Sequence, residues 1–425
     1  MSFSLSSIFP IVSIFIWIAV PVYAALARGR FYAIFSAVIL SFSIPSALLL
    51  HERLSELVAA SIRPSLHLLF AYSMIAAGIQ MAHLVRARMR ERVFRWLVSV
   101  PGQTFLAAGM LAVPWLLLLY PVRLVFQYLG VGGALVGLSC IEALPLLVAV
   151  LSIGTSLGTR PETVRFSLAR EGPSEFQRIP VERVRGREPE PLSSRPLRIV
   201  QLTDTHLGPW QSVARLRHVV ASLVARDPDL VTLTGDFLTM ESMGTPGCLA
   251  QALGPLRPIA DRCVAIYGNH DHEAPQHVVD AMRDLDIPLL IDDELCFSTY
   301  AGAVQVVGAD YVSRDHASQL EALLTRFPRR PEHLRLLLLH DPLGFHFLPK
   351  DEVDLVLSGH THGGQVGLVS LGLDWTVLAR SRWPDQGLFA RGRSRLYVHR
   401  GTGFYGFPLR VGVPAEFSVL EISPA

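Results

Sequence analysis

The sequence predicts two parts that fold differently: an all-α transmembrane bundle and, after it, an α/β domain. The first 158 residues contain about five long apolar stretches with almost no charge, whereas later apolar runs are short and alternate with amphipathic helical patterns. Overall, 50% of the 425 residues are hydrophobic and 17% are charged, which is too apolar for an ordinary soluble enzyme. We therefore divide the chain into a transmembrane domain (1–158), a linker (159–194) and an α/β domain (195–425).

The apolar stretches are residues 5–26, 31–50, 65–84, 104–120 (or to 126) and 131–157. Each is close to or above the ~20 residues with which a helix crosses a bilayer. Buried core helices are the alternative, but five consecutive uncharged stretches disfavour it. A cleaved signal peptide is the alternative for the first stretch, with Val22, Tyr23 and Ala24 at the cleavage site. No Lys or Arg precedes that stretch, so we favour a retained helix.

Arginine placement predicts the orientation. The segments after the first, third and fifth stretches carry Arg28 and Arg30; Arg86, Arg88, Arg90, Arg92 and Arg95; and Arg160, Arg165 and Arg170. The intervening segments carry only Arg53, Arg63 and Arg123. By the positive-inside rule the N-terminus lies outside and the α/β domain lies in the cytoplasm, in a multi-pass protein of the cell (inner) membrane. This orientation holds only for an odd number of spans.

The linker is rich in Pro, Glu and Arg, which predicts an exposed, irregular connection. A short strand at residues 163–168 or 176–181 is expected to extend the edge of a sheet. The four cysteines show no paired spacing, so we expect no disulfide framework. A net charge of +2, without basic runs interleaved with aromatics, does not indicate a nucleic-acid binder, so we expect no nucleic-acid partner.

In the α/β domain, apolar runs stop at side chains that bind metals or move protons. The runs are residues 198–202, 230–234, 263–267, 336–339 and 353–357. The residues after them are Asp204 and His206; Asp236; Asn269, His270 and Asp271; His340; and His360 and His362. Sites in α/β sheets are built at strand ends, so we expect these side chains to converge. Helices are expected at 212–225, 246–256, 276–285 and 317–326, and further strands at 304–308, 395–399 and 416–422.

Oxygen and imidazole side chains without thiolates suit Mn, Fe, Zn or Mg. Two imidazoles one residue apart, at His360 and His362, favour two divalent metal ions rather than one. Such a pair needs a carboxylate that touches both ions, and Asp236, directly after a glycine at a strand end, suits that role. Taken singly, Asp204 is also consistent with a helix cap, and Asn269 and Asp271 are consistent with turns.

The ordered blocks TDTHLG, TGDF, YGNHDHE, LLLLHDP and DLVLSGHTHGGQ resemble the calcineurin-like metallophosphoesterase superfamily. These blocks are most similar to those of the YaeI/YkuE-type branch and of UDP-2,3-diacylglucosamine pyrophosphohydrolases. The resemblance covers residues 195–422. The resemblance implies a four-layer α/β/β/α sandwich and hydrolysis of a phosphodiester or pyrophosphate. Tyr267, Gly268 and His272 depart from the commonest wording of these blocks, which leaves the ligands intact and the substrate class open.

The resemblance also implies roles for single residues. One metal would be held by Asp204, His206 and His362, the other by Asn269, His340 and His360, and Asp236 would be shared. His270 would hydrogen-bond or protonate the leaving oxygen and be oriented by Asp271.

The segment 366–393 is a long loop with tryptophans and arginines beside the predicted site. It is expected to hold a lipid tail and a phosphate, although aromatic packing accounts for it equally well. Arg400 and Arg410, in the stretch that resembles the superfamily's closing signature, are candidate substrate contacts. A multi-span anchor favours a lipid-linked substrate such as a UDP-diacylglucosamine-like molecule. The alternative is a membrane sensor or transport-related protein that binds a ligand without efficient turnover.

Overall fold

The protein is described by a computed structural model that covers residues 4–158, 161–168, 172–185, 195–404 and 406–423. The chain divides into two compact units. The first is Met1–Gly154 with Gly406–Leu409, and the second is Thr155–Tyr405 with Arg410–Ala425. Arg160, Arg170 and residues 186–194 of the predicted linker lie outside the described residues.

The first unit is helical. Its helices are α1 (Leu5–Ala27), α2 (Arg30–Leu57), α3 (Arg63–His83), α4 (Arg92–Phe94), α5 (Val100–Tyr128), α6 (Gly132–Glu142) and α7 (Leu144–Ser156). Among the residues that the structure describes, five helical stretches are long and apolar enough to cross a membrane, namely Leu5–Ala27, Arg30–Leu57, Arg63–Arg86, Arg92–Tyr128 and Gly132–Ser156. The predicted number of spans is therefore matched. Phe9, Phe70 and Phe105 pack edge to face in the core of this unit.

The fifth span is broken between α6 and α7. Pro145 lacks the N–H that would continue the helical ladder to the carbonyl of Ile141. That carbonyl instead accepts a hydrogen bond from the indole N–H of Trp115, at 2.8 Å. A neighbouring helix thus satisfies a group freed by proline, as membrane helices require.

The structure corrects the position of Arg123, which the sequence placed in a loop. Because Pro121 is accommodated inside α5, this helix continues to Tyr128 and buries Arg123 within it. The guanidinium makes two hydrogen bonds to the carboxylate of Glu142, at 2.7 and 2.6 Å. Arg53 lies 3.6 Å from the same carboxylate. Arg123 is therefore part of a buried ion cluster and does not count toward loop charge.

The described residues of the second unit form two β-sheets. Its strands are β1 (Glu162–Ser167), β2 (Gln177–Ile179), β3 (Glu182–Arg185), β4 (Leu197–Leu202), β5 (Leu230–Leu233), β6 (Cys263–Ala265), β7 (Asp293–Thr299), β8 (Gly302–Gly308), β9 (Leu334–Leu338), β10 (Leu355–Ser358), β11 (Gly387–Arg391), β12 (Ser394–Val398) and β13 (Ser418–Ser423). The six-stranded sheet has the order β3-β1-β13-β4-β5-β6. The seven-stranded sheet has the order β2-β11-β12-β10-β9-β8-β7.

The two sheets pack face to face. One buried cluster joins Ile199 and Leu230 of the six-stranded sheet to Leu336 and Leu355 of the other. On the outer side of the seven-stranded sheet, Leu320 and its neighbours in α12 (His316–Arg326) share a second cluster with β8, β9 and β10.

The remaining helices are α8 (Val213–Val224), α9 (Met240–Met243), α10 (Cys248–Leu253) and α11 (Pro275–Asp284). Because α8 connects the parallel strands β4 and β5, it crosses a face of their sheet, and the inner face is already filled. Helices therefore flank two packed sheets, which confirms the predicted α/β class and its layered sandwich.

The predicted linker takes part in both sheets. Strand β1 lies inside the six-stranded sheet between β3 and β13, and β2 forms an edge of the seven-stranded sheet. The sequence predicted only one short edge strand there. The difference arises because β1 pairs with Ser418–Ser423, at the far end of the chain, which local composition does not reveal.

Candidate dinuclear metal centre

The candidate ligands follow strand ends in a strained backbone conformation. Twelve non-glycine residues in the described part of the chain have positive φ, and five of them are predicted ligands. They are Asp204 (51°), His206 (41°), Asp236 (55°), His360 (70°) and His362 (51°). Such conformations cost free energy and cluster where the fold must aim side chains at one point. Five of the predicted ligands therefore have a strained backbone conformation.

Asp204, His206 and His362 form the first group, with one ligand atom of each within 4.8 Å of the others. The Nε2 atoms of the two imidazoles are 3.1 Å apart, and Nε2 of His362 lies 3.3 Å from Oδ1 of Asp204. All three side chains are buried. The group offers one carboxylate and two imidazole nitrogens to a single point.

Asp236, His340 and His360 form the second group. Nε2 of His340 lies 3.3 Å from Oδ2 of Asp236. Asn269 joins this group because its Oδ1 lies 2.8 Å from Nδ1 of His360. The structure therefore brings together all four residues that were predicted for the second metal.

Asp236 lies between the two groups. Its Oδ2 is 3.3 Å from Nε2 of His340 and 3.8 Å from Nε2 of His206. Its Oδ1 accepts a hydrogen bond from the backbone N–H of His270, at 2.9 Å, which fixes the carboxylate. This is the position that a bridging ligand must occupy.

Backbone groups and glycines hold the ligands in place. Nδ1 of His340 lies 2.7 Å from the carbonyl of Thr234, which leaves Nε2 directed toward Asp236. The carboxylate of Asp204 accepts the backbone N–H of His360, at 3.0 and 3.1 Å. A Cβ at Gly359 would lie 2.1 Å from Oδ2 of Asp204, so only glycine leaves room for that carboxylate.

Burial and neighbouring charges shift the pKa values of the candidate ligands. Burial lowers the pKa of His206 to about 4 and that of His360 to about 4, so both are neutral near pH 7, the form that binds metals. Burial alone would also lower the pKa of His340, but the adjacent Asp236 carboxylate raises it to about 10. Burial alone would raise the pKa of Asp236, yet His340 holds it below its usual range. Burial raises the pKa of Asp204 to about 6.

The residues fit a pair of divalent cations. Nε2 of His340 is buried and faces the Asp236 carboxylate at 3.3 Å, a separation that suits two ligands of one cation. The two groups combine carboxylate oxygens, an amide oxygen and imidazole nitrogens around one shared carboxylate. This ligand chemistry suits Mn, Fe, Zn or Mg, as the sequence predicted.

The role predicted for Asp271 is corrected. Its carboxylate is buried and accepts the backbone N–H groups of Asp236 (2.7 Å), Phe237 (2.9 Å) and Gly268 (2.8 Å). Asp271 therefore holds the loop that carries Asp236 and does not orient His270. A carboxylate next in sequence to a histidine can point away from it, and here hydrogen bonds from three backbone N–H groups hold the carboxylate inside the domain.

Glu273 contacts His270 instead. Its Oε1 lies 2.8 Å from Nδ1 of the imidazole, so Glu273 fixes the orientation of the ring. The ring of His270 lies 5.7 Å from that of His206, centroid to centroid, so it borders the first group. Sequence reasoning missed Glu273, although its spacing of three residues from His270 was a usable signal, since it matches one helical turn.

The structure also corrects the role predicted for Arg400 and Arg410. Both side chains are fully buried and therefore do not offer exposed phosphate contacts. Arg400 pairs with the carboxylates of Glu162 and Glu416. Arg410 donates to several backbone carbonyls and lies 3.1 Å from Nδ1 of His362, so it supports that ligand from behind.

Comparisons with known proteins match this domain. The sequence profile of the calcineurin-like phosphoesterases matches residues 197–364. A zebrafish (Danio rerio) transmembrane protein with a metallophosphoesterase domain is 28% identical over 264 residues, covering 58% of this chain and 56% of its own length. The Escherichia coli phosphodiesterase YaeI is 26% identical, covering 53% and 82%. The Bacillus subtilis uncharacterized metallophosphoesterase YkuE is 28% identical, covering 53% and 78%.

The similarity does not extend over whole proteins. The matched regions make up 56% of the zebrafish protein and 60% of an uncharacterized Helicobacter pylori metallophosphoesterase. The chain therefore spans little more than half the length of these two relatives.

Proposed function

Because the chain contains a calcineurin-like metallophosphoesterase domain, we propose that it is a membrane-anchored, metal-dependent hydrolase of a phosphodiester or pyrophosphate bond. The observation that carries this proposal is the convergence of side chains from separate strand ends into two groups that share Asp236. Two divalent ions, when bound, would supply a hydroxide nucleophile and neutralise charge on the phosphoryl oxygens.

The residues of the chain then have distinct tasks. Asp204, His206 and His362 would hold one ion, while Asn269, His340 and His360 would hold the other, with Asp236 shared. His270 would donate a proton or a hydrogen bond to the leaving oxygen, oriented by Glu273 through Nδ1. Asp271 acts indirectly, by fixing the backbone at Asp236. Gly359 also acts indirectly, because it has no side chain and so leaves room for the carboxylate of Asp204.

The proposal is tested by hydrolysis of bis-p-nitrophenyl phosphate by the full-length protein in detergent, with Mn added. We expect Asp236→Asn to lose activity and to bind less metal, measured by elemental analysis. Asp227→Asn is the matched control, because Asp227 is an exposed surface carboxylate. Full activity of Asp236→Asn, or active protein that contains no metal, would refute the proposal.

We further propose a lipid-linked substrate, such as a UDP-diacylglucosamine-like molecule. The support is the anchor: an enzyme with five apolar spans is confined to the surface on which such molecules reside. Incubation of the purified protein with candidate lipid diphosphates, followed by phosphorus NMR or mass spectrometry of the products, tests this. Cleavage of soluble diesters together with intact lipid diphosphates would contradict it.

The arginine distribution supports a cytoplasmic catalytic domain. With Arg123 buried in an ion pair inside α5, the segment between spans four and five carries none of the bases counted there from sequence. A cysteine placed at the exposed Tyr300 should react with a membrane-impermeant maleimide only after cells are permeabilised. Labelling of intact cells would reverse the orientation.

A further inference from the structure

Exposed hydrophobic side chains of the second unit are concentrated in one loop. Among its described residues, eight large hydrophobic side chains are exposed, and five of them fall within residues 368–377. They are Leu368, Leu371, Leu373, Trp375 and Val377. Leu371 is 75% exposed and Trp375 is 47% exposed. Single exposed hydrophobics are common on proteins, but a cluster of this kind marks an interaction surface.

This apolar loop, residues 368–377, is an ordered structure. The backbone N–H of Leu368 donates to the carbonyl of Trp375 at 2.8 Å, and that of Leu373 donates back to Leu368 at 3.3 Å. Ser370 is tied to Gly412, outside the loop, by a bond of 2.8 Å. The fold therefore holds the apolar side chains outward in a fixed arrangement.

Polar side chains tie the apolar loop to the body of the domain. Thr376 is buried, and its hydroxyl donates to the carboxylate of Asp385 at 2.6 Å. The carboxylate of Asp374 accepts a hydrogen bond of 3.4 Å from Gln386 in the body of the domain. Thr376 therefore points into the domain, whereas Ser370 and Asp374 are exposed beside the leucines and the tryptophan.

The base of the apolar loop touches the turn that carries two candidate ligands. A Cβ at Gly364 would meet Cγ2 of Val377 at 2.8 Å, so the loop packs directly on this turn. Thr361, between His360 and His362, donates to the backbone carbonyl of Asp385 at 2.6 Å. Whatever the apolar loop binds is therefore brought close to the metal centre.

Positive charge follows the apolar loop. Arg380 and Arg382 are exposed, and the segment from Leu368 to Pro384 contains two arginines and one acidic residue, the exposed Asp374. The guanidinium of Arg382 lies over the ring of Trp383, 4.4 Å from its centroid. Leucines and tryptophan next to arginines are typical of segments that lie in the headgroup region of anionic membranes.

We propose that residues 368–377 insert into the boundary between headgroups and acyl chains of an anionic bilayer, with Arg380 and Arg382 on the headgroups. The occupant is lipid rather than a protein partner, because the chain is itself anchored in a membrane and because the flanking charge complements anionic lipid. Insertion would present the metal centre to phosphoesters at the lipid surface. Only this last consequence rests on the proposed hydrolase function.

The test measures depth in the bilayer. The exposed Cys140 and Cys296 are replaced by serine, and Leu373→Cys carries a spin label on the full-length protein in phosphatidylglycerol nanodiscs. We expect loss of accessibility to a water-soluble nickel chelate and gain of accessibility to oxygen. Tyr300→Cys, at another exposed hydrophobic position, is the control and should stay accessible to nickel. Leu371→Cys provides a second label if the first variant folds poorly.

Nickel accessibility at 371 and 373 equal to that at 300 would overturn the proposal and would leave the surface to a protein partner. Replacing Arg380 and Arg382 together by glutamate should reduce the depth in anionic nanodiscs. An unchanged depth would refute the assigned role of the arginines. Because no turnover is needed, a failure of insertion is distinguishable from a failure of hydrolysis, which the bis-p-nitrophenyl phosphate assay reports separately.

Discussion

Replacing Gly359 by alanine should remove metal from the first group without unfolding the protein. The added Cβ would lie 2.1 Å from Oδ2 of Asp204 and 2.2 Å from the hydroxyl of Thr203. Real Cβ atoms essentially never approach closer than 3.0 Å, so the carboxylate or the backbone must retreat by about 0.9 Å. Metal–ligand distances tolerate only about 0.2 Å. Asp204 therefore cannot remain a ligand without a rearrangement of the whole turn.

The assay combines metal content with turnover. We expect the Gly359→Ala protein to retain less than the wild-type complement of Mn or Zn and to lose about 100-fold or more in kcat on bis-p-nitrophenyl phosphate, the size of effect that a 1 Å misplacement produces. Gly302→Ala is the control, because Gly302 has φ of 121° and nothing within 4 Å of an added Cβ. The Gly302→Ala substitution strains the backbone far from the candidate metal centre and should leave the metal content unchanged.

Two results would refute this reasoning. One is a Gly359→Ala protein with both metals and normal turnover, which would mean that Asp204 is not a ligand in the geometry described. The other is an equal loss in Gly302→Ala, which would mean that general destabilisation causes the effect. Thermal unfolding of both variants separates these cases.

Three further predictions concern protons and buried charge. Because the pKa of His340 is raised to about 10 in the metal-free site, binding of a metal must release the proton of His340. The Mn affinity measured by chelator competition should therefore rise about tenfold per pH unit between about pH 7 and 9. An affinity independent of pH would contradict it. His270→Ala should lower kcat by about 10²- to 10⁴-fold with both metals retained, and Glu273→Gln should lower kcat less. A wild-type kcat in His270→Ala would exclude a role for His270 at the leaving oxygen. Glu142→Gln leaves the charge of Arg123 unpaired and should cost about 3–5 kcal/mol in detergent unfolding, largely recovered when both residues are leucine.

Most of the candidate site could be predicted because each ligand directly follows a buried strand. Asp204, Asp236 and His360 are far apart in sequence, but the apolar runs before them place them at strand ends of two packed sheets. The order of motifs was therefore enough to bring them together. What the motifs did not contain is the direction of neighbouring side chains.

Asp271 and Arg400 illustrate that limit. A charged residue inside a motif looks functional in sequence, yet Asp271 satisfies three backbone amides and Arg400 pairs with Glu162, more than 200 residues away. Burial and long-range pairing decide these roles, and neither is visible locally. For the same reason the composition of residues 162–185 indicated a linker, although strands of both sheets form there.

The parallel pairing of β1 with β13 joins Glu162 to Ser418 and Ser167 to Ser423. The first strand made after the membrane spans must therefore wait for the last strand to leave the ribosome. During synthesis of the 250 residues between these two strands, the nascent domain is tethered at the bilayer with an unpaired strand edge that can pair wrongly. A soluble fragment started at residue 195 would lack β1 permanently, so expression of the domain alone should include the chain from residue 155 onward.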